Sequence, residues 1–336
     1  MTIYDIAERA GVSIATVSRV VNGSSNVSAK TKGRVLAVIE ESGYTPNVFA
    51  RGLGTDSMKT VGLLCSDIGH PFMAQAVSLL ESALAGRGYD CILACTGLDE
   101  NRKLANVRRL LAKRIDALVL ISSKYENPED CRVQPDYVAE AAAAVPVFVV
   151  NGCIPGERVY CTASTDFDIT RDVTAAMLRA GRRHILFLSD APEYVVLRRK
   201  RGYEAALIDA GIDIDPALEI VARNDIRYAE QLLNQRSEEG LFFDGVMATE
   251  DDLAIGALKF AAHHGISVPE DLDVCGYNNT PLALSCTPEL TSIDNQLEAQ
   301  CHETVENLLS ALEGTAEIVR ERVFPAQLVR RQTTSF

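Results

Sequence analysis

Residues able to recognise a small polar molecule recur at one kind of place along this chain, just after short apolar runs. Ser66 and Asp67 follow VGLLC, Ser122 follows ALVLI and Asn151 follows VFVV. Asp190 comes soon after ILFL, Glu250 and Asp251 soon after GVMA, and Asn278 and Asn279 directly after DVCGY. Carboxylates and amides together accept from and donate to hydroxyl groups, and the carboxyl ends of strands in an open parallel sheet are where ligand crevices lie. The same residue types also cap helices and fill solvated loops, so position alone leaves each of them open. A second set stands near the amino terminus. Ile14, Ala15, Thr16, Ser18 and Arg19 are left facing outward on a helical stretch whose inward stripe is Val17, Val20 and Val21. An arginine can donate two hydrogen bonds to guanine in the major groove, small apolar side chains can touch a thymine methyl, and hydroxyls can hold phosphates. Arg19 is the expected base reader with Ile14 and Ala15 beside it, while Thr16, Ser18 and Asn22 are expected on the nucleic-acid backbone.

The elements that must position these groups are legible in the periodicity. Ile3, Ile6, Ala7 and Ala10 recur at helical spacing, and Thr2 with Asp5 makes a capping box. Gly11 ends that helix, Ser13 is placed to cap the next, and a third amphipathic segment from about Ser28 to Glu41 brings Val35, Leu36, Val38 and Ile39 to close a small core. Two short helices across a tight turn form a helix-turn-helix. From about Thr60 onward, β-rich apolar runs alternate with amphipathic segments at Met73 to Arg87, Leu104 to Arg114, Asp168 to Ala180, Lys200 to Ala210 and Leu253 to His264. That alternation predicts parallel sheet with helices on both faces. About ten strands exceed one compact doubly wound unit, so two subdomains facing each other across a crevice are expected.

Composition narrows the function classes. The 336 residues carry a net charge of −13, yet residues 1–60 hold seven Lys or Arg against five Asp or Glu, leaving 26 against 41 for the rest. The acidity thus lies in the part that would stand off a duplex. No segment approaches the roughly 20 apolar residues of a membrane span and no signal-peptide pattern opens the chain, so a cytoplasmic location without a membrane partner is expected. The nine cysteines sit mostly in apolar runs and are expected as reduced core residues. Cys91 and Cys95 lack CxxC spacing and the five histidines form no array with them, so neither metal nor cofactor is expected. The stretch GLGTDS lacks the third glycine of a dinucleotide fingerprint and precedes a strand, and there is no P-loop and no GxSxG. Catalysis is therefore not expected.

With DIAERAGVSIATVSRVVNG, GYTPNVFARGL, VPEDLDVCGYNNTPLA and TPELTSIDNQ present in order, the whole chain resembles the LacI/GalR family of transcription regulators. The resemblance implies an all-α helix-turn-helix head over 1–46, a hinge helix or linker over 47–59, and an α/β periplasmic-binding-protein-like domain over 60–336. The latter would hold two doubly wound parallel-sheet subdomains, one of about 60–160 and 290–322, the other of about 161–289 and 323–336. It further implies a homodimer on pseudo-palindromic operator DNA, with a small effector, sugar-like first, between the subdomains. A nucleoside or other polar metabolite acting as corepressor is the alternative within this fold, and a binding protein without a DNA role is the alternative outside it. The chain shows no heptad tail, which favours a dimer over a dimer of dimers. In the hinge, Pro46 precedes an expected short helix capped by Asn47 and carrying Ala50, and the resemblance implies that Leu53 wedges a base step in the minor groove. Gly52 and Gly54 make that helix marginal without DNA.

For the effector, the resemblance carries over His70 and Phe72 from GHPF, Asn151 after VFVV, and Arg199, which matches an R-x-x-G-[YF] element through Gly202 and Tyr203. It adds Glu250 and Asp251 where the family commonly has Asn-Asp, Asn278 where it commonly has an acid, and Asn295. Two departures stand out, an acid at Glu250 and an amide at Asn278. Either the two exchange roles towards hydroxyls, or Glu250 pairs with Arg199 and leaves the ligand to the amides.

Overall fold

A computed structural model describes residues 2–21, 26–43, 57–121, 134–190, 194–315 and 317–336. The head is built from α1 (Ile3–Ala10), α2 (Ile14–Val21) and α3 (Ala29–Ser42). The capping box predicted from Thr2 and Asp5 is present, and Gly11 at φ 59° ends α1 in the left-handed conformation that glycine adopts without strain. Ser13 accepts from the Thr16 backbone N–H at 3.2 Å and starts α2. Ile6, Ala7, Ala10, Val17, Val20 and Val35 make the core, with Val38 and Ile39 packed against it. Leu36, expected inside, is 44 % exposed. A helix turns about 100° per residue, and with Val35, Val38 and Ile39 inward Leu36 is carried past the buried stripe. Asn22 and the hinge positions Pro46, Asn47, Ala50 and Leu53 lie outside the described residues, as does Ser122.

The remainder folds as two lobes of the same topology. The first sheet is formed by β1 (Thr60–Cys65), β2 (Asp90–Cys95), β3 (Ala117–Ile121), β4 (Val147–Val150), β5 (Val159–Ser164) and β11 (Glu321–Phe324), ordered β2-β1-β3-β4-β5-β11. The second uses β6 (Ile185–Ser189), β7 (Glu219–Val221), β8 (Gly245–Ala248), β9 (Asp273–Tyr277), β10 (Thr291–Asp294) and β12 (Gln327–Val329), ordered β7-β6-β8-β9-β10-β12. The first five strands of each lobe are parallel in the doubly wound order 2-1-3-4-5. The added edges differ, because β11 runs parallel to β5 whereas β12 runs antiparallel to β10.

The chain passes between lobes after Ser164, after Asp294 and after Phe324. Each passage comes a few residues later than the boundaries expected near 160, 290 and 322. The reason is that β5, β10 and β11 remain in register with their own sheet to their last residue, and the chain is free to leave only where the ladder ends. The passages are tied together, since the Thr165 backbone N–H donates to the Phe324 carbonyl and the Ala326 N–H to the Thr165 hydroxyl, both at 3.0 Å.

Helices cover both faces of both sheets. In the first lobe α4 (Pro71–Ala85) and α12 (Leu297–Glu313) lie on one face, α5 (Glu100–Leu111) and α6 (Asp136–Ala144) on the other. In the second, α7 (Asp166–Arg179) and α8 (Tyr194–Asp209) oppose α9 (Ile226–Glu238) and α10 (Asp251–His264), with the short α11 (Leu282–Ser285) at the edge. The helices start earlier than their apolar periodicity shows, because Pro71 at the first turn, the Asp99 cap and Asp166 precede the periodic residues. Gly202 sits where α8 crosses α7 so closely that a Cβ would come 2.3 Å from the Phe167 carbonyl oxygen. The glycine of the R-x-x-G-Y element is thus a packing requirement. The eight described cysteines are free thiols, but Cys95 is exposed on the edge strand β2, against the expectation of core placement. Among the described residues no helix is long and apolar enough to cross a membrane.

Candidate functional site

The carboxyl ends of both sheets meet across a cleft of about 430 Å³. Its floor is organised by Arg199 of α8, which is 1 % exposed. Arg199 Nε donates to Asp166 Oδ1 at 3.1 Å, Nη1 donates to the Thr249 carbonyl at 2.8 Å, and the guanidinium lies 3.5 Å over the Tyr277 ring. The Tyr277 hydroxyl donates to Asp166 Oδ1 at 2.6 Å and the Ser164 hydroxyl to Asp166 Oδ2 at 3.1 Å. One arginine thereby links the end of β9, the residue after β8 and the first residue of α7, directly beyond a passage between lobes. A buried charge held this way is stabilising only because its partners are in place.

Glu250 stands at the N-cap position of α10 without a side-chain bond to the helix, and its Oε2 accepts from Asn278 Nδ2 at 2.6 Å. Its Oε1 lies 3.9 Å from Arg199 Nη1 and its Oε2 3.5 Å from His70 Nε2. The acid and the amide that depart from the family pattern are therefore bonded to each other, and Glu250 also faces Arg199. Asn278, at φ 85°, accepts from Asn295 Nδ2 at 2.9 Å through its Oδ1. Opposite stands Asn151 at the end of β4, at φ 58° and 3 % exposed, whose backbone N–H donates to Gln300 Oε1 at 3.1 Å. Its Oδ1 has no hydrogen-bond partner among the described residues. The same holds for His70 Nδ1, Asp190 Oδ1 and Asn224 Oδ1. Burial lowers the pKa of His70, against the pull of Asp190, Asp252 and Asp67, which favours the neutral ring.

Of the eight residues expected at the site, His70, Phe72, Asn151, Arg199, Glu250 and Asn278 border the cleft. Asp251 and Asn295 do not. Asp251 is fully buried and turns to the sheet, accepting from the Thr280 N–H and hydroxyl and from the Ser292 hydroxyl. Burial pushes its pKa up to about 6. Asn295, also fully buried, stands behind Asn278 and holds its amide. The next residue of α10, Asp252, takes the place expected of Asp251, because one helical step turns it towards the cleft. Asn224 and Arg223 also border it and went unread, since β7 is three residues long with one buried side chain and gives no apolar run.

A wider depression of about 910 Å³ opens at the opposite, linker-facing end of the first sheet beside Ser57, Lys59, Arg114 and Arg158. Lys59 there donates to the Tyr89 hydroxyl and Arg158 to the Ala142 carbonyl, so two of its cations are engaged. Among the described residues, the unpartnered atoms of His70, Asn151, Asp190 and Asn224 border the smaller cleft, and none borders the depression.

On the head, Ile14, Ala15 and Arg19 are exposed while Thr16 and Ser18 are half-buried, all on α2. The Thr16 and Ser13 hydroxyls lie 2.9 Å apart at the helix start, which leaves the Thr16 hydroxyl further hydrogen-bonding capacity.

Comparison with known proteins agrees with this architecture. The profile of bacterial regulatory proteins of the lacI family matches residues 2–47, and that of the periplasmic binding protein-like domain matches residues 174–334. An HTH-type transcriptional regulator of Lachnoclostridium phytofermentans is 42 % identical over 338 residues, covering all of both chains. Among solved structures, a Lac repressor dimer bound to operator and the anti-inducer ONPF is similar at a TM-score of 0.86 and 26 % identity, and a complex of the transcriptional regulator CelR with cellobiose at 0.72 and 26 %, each covering 99 % of both chains. These relatives are regulators rather than enzymes. With a helix-turn-helix head joined to two like lobes around a polar cleft, and a full-length relative above 40 % identity, the chain belongs to the LacI family of DNA-binding transcriptional regulators.

Proposed function

We propose that the chain is a repressor that binds a pseudo-palindromic duplex operator as a homodimer and is controlled by a small, sugar-like effector in the cleft. The observation that carries this reading is the pairing of an exposed α2 face with a cleft bordered by buried acceptors that have no partner among the described residues. Arg19 reads a base edge, Ile14 and Ala15 flank it, and Thr16, Ser18 and Asn22 hold the backbone. Two heads are needed, because residues 1–60, seven Lys or Arg against five Asp or Glu, give little electrostatic affinity alone. Asn47, Ala50 and Leu53 contact the operator from the hinge, with Leu53 in the minor groove. A ligand donating to Asn151 on one lobe while contacting the Asn278–Glu250 pair on the other favours the closed arrangement, and closure moves the subunit contacts that set hinge spacing. The effect needs only unequal affinity for the two arrangements. A protein acting on chromosomal DNA in this way works in the cytoplasm. The similar regulator CelR is known with cellobiose bound, and a donor-rich sugar suits the unpartnered acceptors here.

Selection of binding sites from a random duplex library tests the reading. The expected result is an enriched inverted repeat, with Arg19→Ala costing about 1–3 kcal/mol and relaxing one base position in each half-site. Enrichment of a single unrepeated site contradicts the dimer, and a uniform loss across sequences makes Arg19 a phosphate contact.

A further inference from the structure

We propose that the effector carries a protonated amine, held where the lobes meet by His70, Asp190 and Glu250. The inference rests on the reading of the cleft as the effector site and narrows the chemistry of its occupant. The three side chains place a ligating atom each within 4.8 Å of one another, His70 from the first lobe and the two acids from the second. Asp190 Oδ1 and His70 Nδ1 are buried without a partner among the described residues, and Asn151, 3 % exposed, borders the same space with an unpartnered Oδ1. A neutral imidazole and two carboxylates all accept hydrogen bonds, and an ammonium has three donors and no acceptor. At N···O distances of about 2.8 Å, tetrahedral donors reach acceptors about 4.6 Å apart. The three side chains lie within about that reach, with His70 Nε2 3.5 Å from Glu250 Oε2.

Charge points the same way. The cleft is bordered by Asp67, Asp190, Glu250 and Asp252 against Arg199 and Arg223. Arg199 is shared among Asp166, the Thr249 carbonyl and the Tyr277 ring, with Glu250 at 3.9 Å, and Arg223 lies 5.1 Å over the Tyr228 ring with Asp225 at 3.8 Å, so Asp166 and Asp225 add two further acids to the count. The mouth is left with an excess of negative charge that a neutral hexose does nothing to offset. A bare divalent cation would meet the same charge, but at about 430 Å³ the cleft is far larger than an ion, and Phe72, Leu98, Val195 and Val196 give it apolar walls for a carbon skeleton. An amino sugar, or another amine bearing hydroxyls for Asn151 and Asn224, satisfies both features.

The test is titration calorimetry and thermal shift on the full chain at pH 7. The probes are glucosamine, galactosamine, their parent hexoses, their N-acetyl derivatives, and manganese and zinc chlorides with and without EDTA. The expected result is at least tenfold tighter binding of an amine than of its parent and its N-acetyl form. Asp190→Asn and Glu250→Gln, each shown folded by its own melting curve, should weaken the amine at least tenfold and the parent by under threefold. Parent sugars binding as tightly as amines overturn this inference and leave the sugar reading standing. A metal shift reversed by EDTA and lost in Asp190→Asn overturns it in favour of a metal site. No response to any sugar or amine overturns both readings. The ratio of amine to parent is measured on the unsubstituted chain, so the test survives a variant that fails to fold.

Discussion

Asn151 and Asn278 stand at equivalent points of two lobes with one topology, each directly after the fourth strand and each with positive φ. Asparagine tolerates that backbone better than most residues, which accounts for an amide at both. Their side chains are used differently. Asn278 donates to Glu250 and accepts from Asn295, inside a lobe where Arg199, Asp166 and Tyr277 already satisfy one another. Asn151 leaves its Oδ1 unpartnered on a lobe that adds His70 with a second such atom. Around Asn278 the second lobe is thus a preorganised network, although Asp190 and Asn224 beside it also keep oxygens without a partner among the described residues, whereas the side chain of Asn151 on the first lobe enters no such network. Closure onto a ligand is favourable for the first lobe because an unmade buried hydrogen bond costs about 1–3 kcal/mol.

Variants can sharpen or break this contrast. The largest effect is expected from Arg199→Met, which leaves Asp166 buried and unpaired and should cost about 3–5 kcal/mol in urea unfolding. A loss near zero would mean that the network is not held by that pair. Next comes pH. Burial raises the pKa of Asp251 in the folded chain to about 6 from the ordinary aspartate value of 3.8, so near pH 5 the folded state holds a proton that the unfolded chain does not. Its contribution to stability therefore rises as pH falls from about 6 to about 4, by up to about 3 kcal/mol. His70 acts oppositely, losing stability as pH falls below 6.5, so the comparison is best made in a His70→Gln background. Asp251→Asn should flatten the rise in stability measured across that window. An unchanged slope would place the proton elsewhere.

Smaller effects separate the two asparagines. Asn278→Ala removes two hydrogen bonds, strips Asn295 of its acceptor and should cost about 2 kcal/mol. Asn151→Ala removes a side chain whose oxygen is unbonded, and should cost under about 1 kcal/mol, chiefly from its left-handed backbone, while abolishing ligand stabilisation. Thermal melts with and without ligand check both. Equal losses would erase the distinction between the lobes.

Much of this was legible in the residues. The head, its capping box and its buried stripe follow from local periodicity, and the six long apolar runs became strands because a doubly wound sheet buries them on both faces. Six of eight expected cleft residues border the cleft for the same reason, being fixed to strand or helix ends. What escaped was set by tertiary geometry. Asp251 and Asp252 differ by one step of a helix whose start was not located from sequence, and Asn224 follows a strand too short to announce itself. The partnership of Glu250 with Asn278 spans 28 residues, and nothing in either segment alone encodes it.

The central claim is that the cleft governs the head, and the most direct measurement is operator affinity with the cleft empty and saturated. Fluorescence anisotropy on the selected operator, with and without the compound that stabilises the full chain, should show a change in Kd of roughly 5- to 150-fold in either direction. The same compound should leave the affinity of Asn151→Ala for operator unmoved. An operator Kd that stays constant while the cleft fills would contradict the account, because a ligand with no differential affinity for the two arrangements regulates nothing.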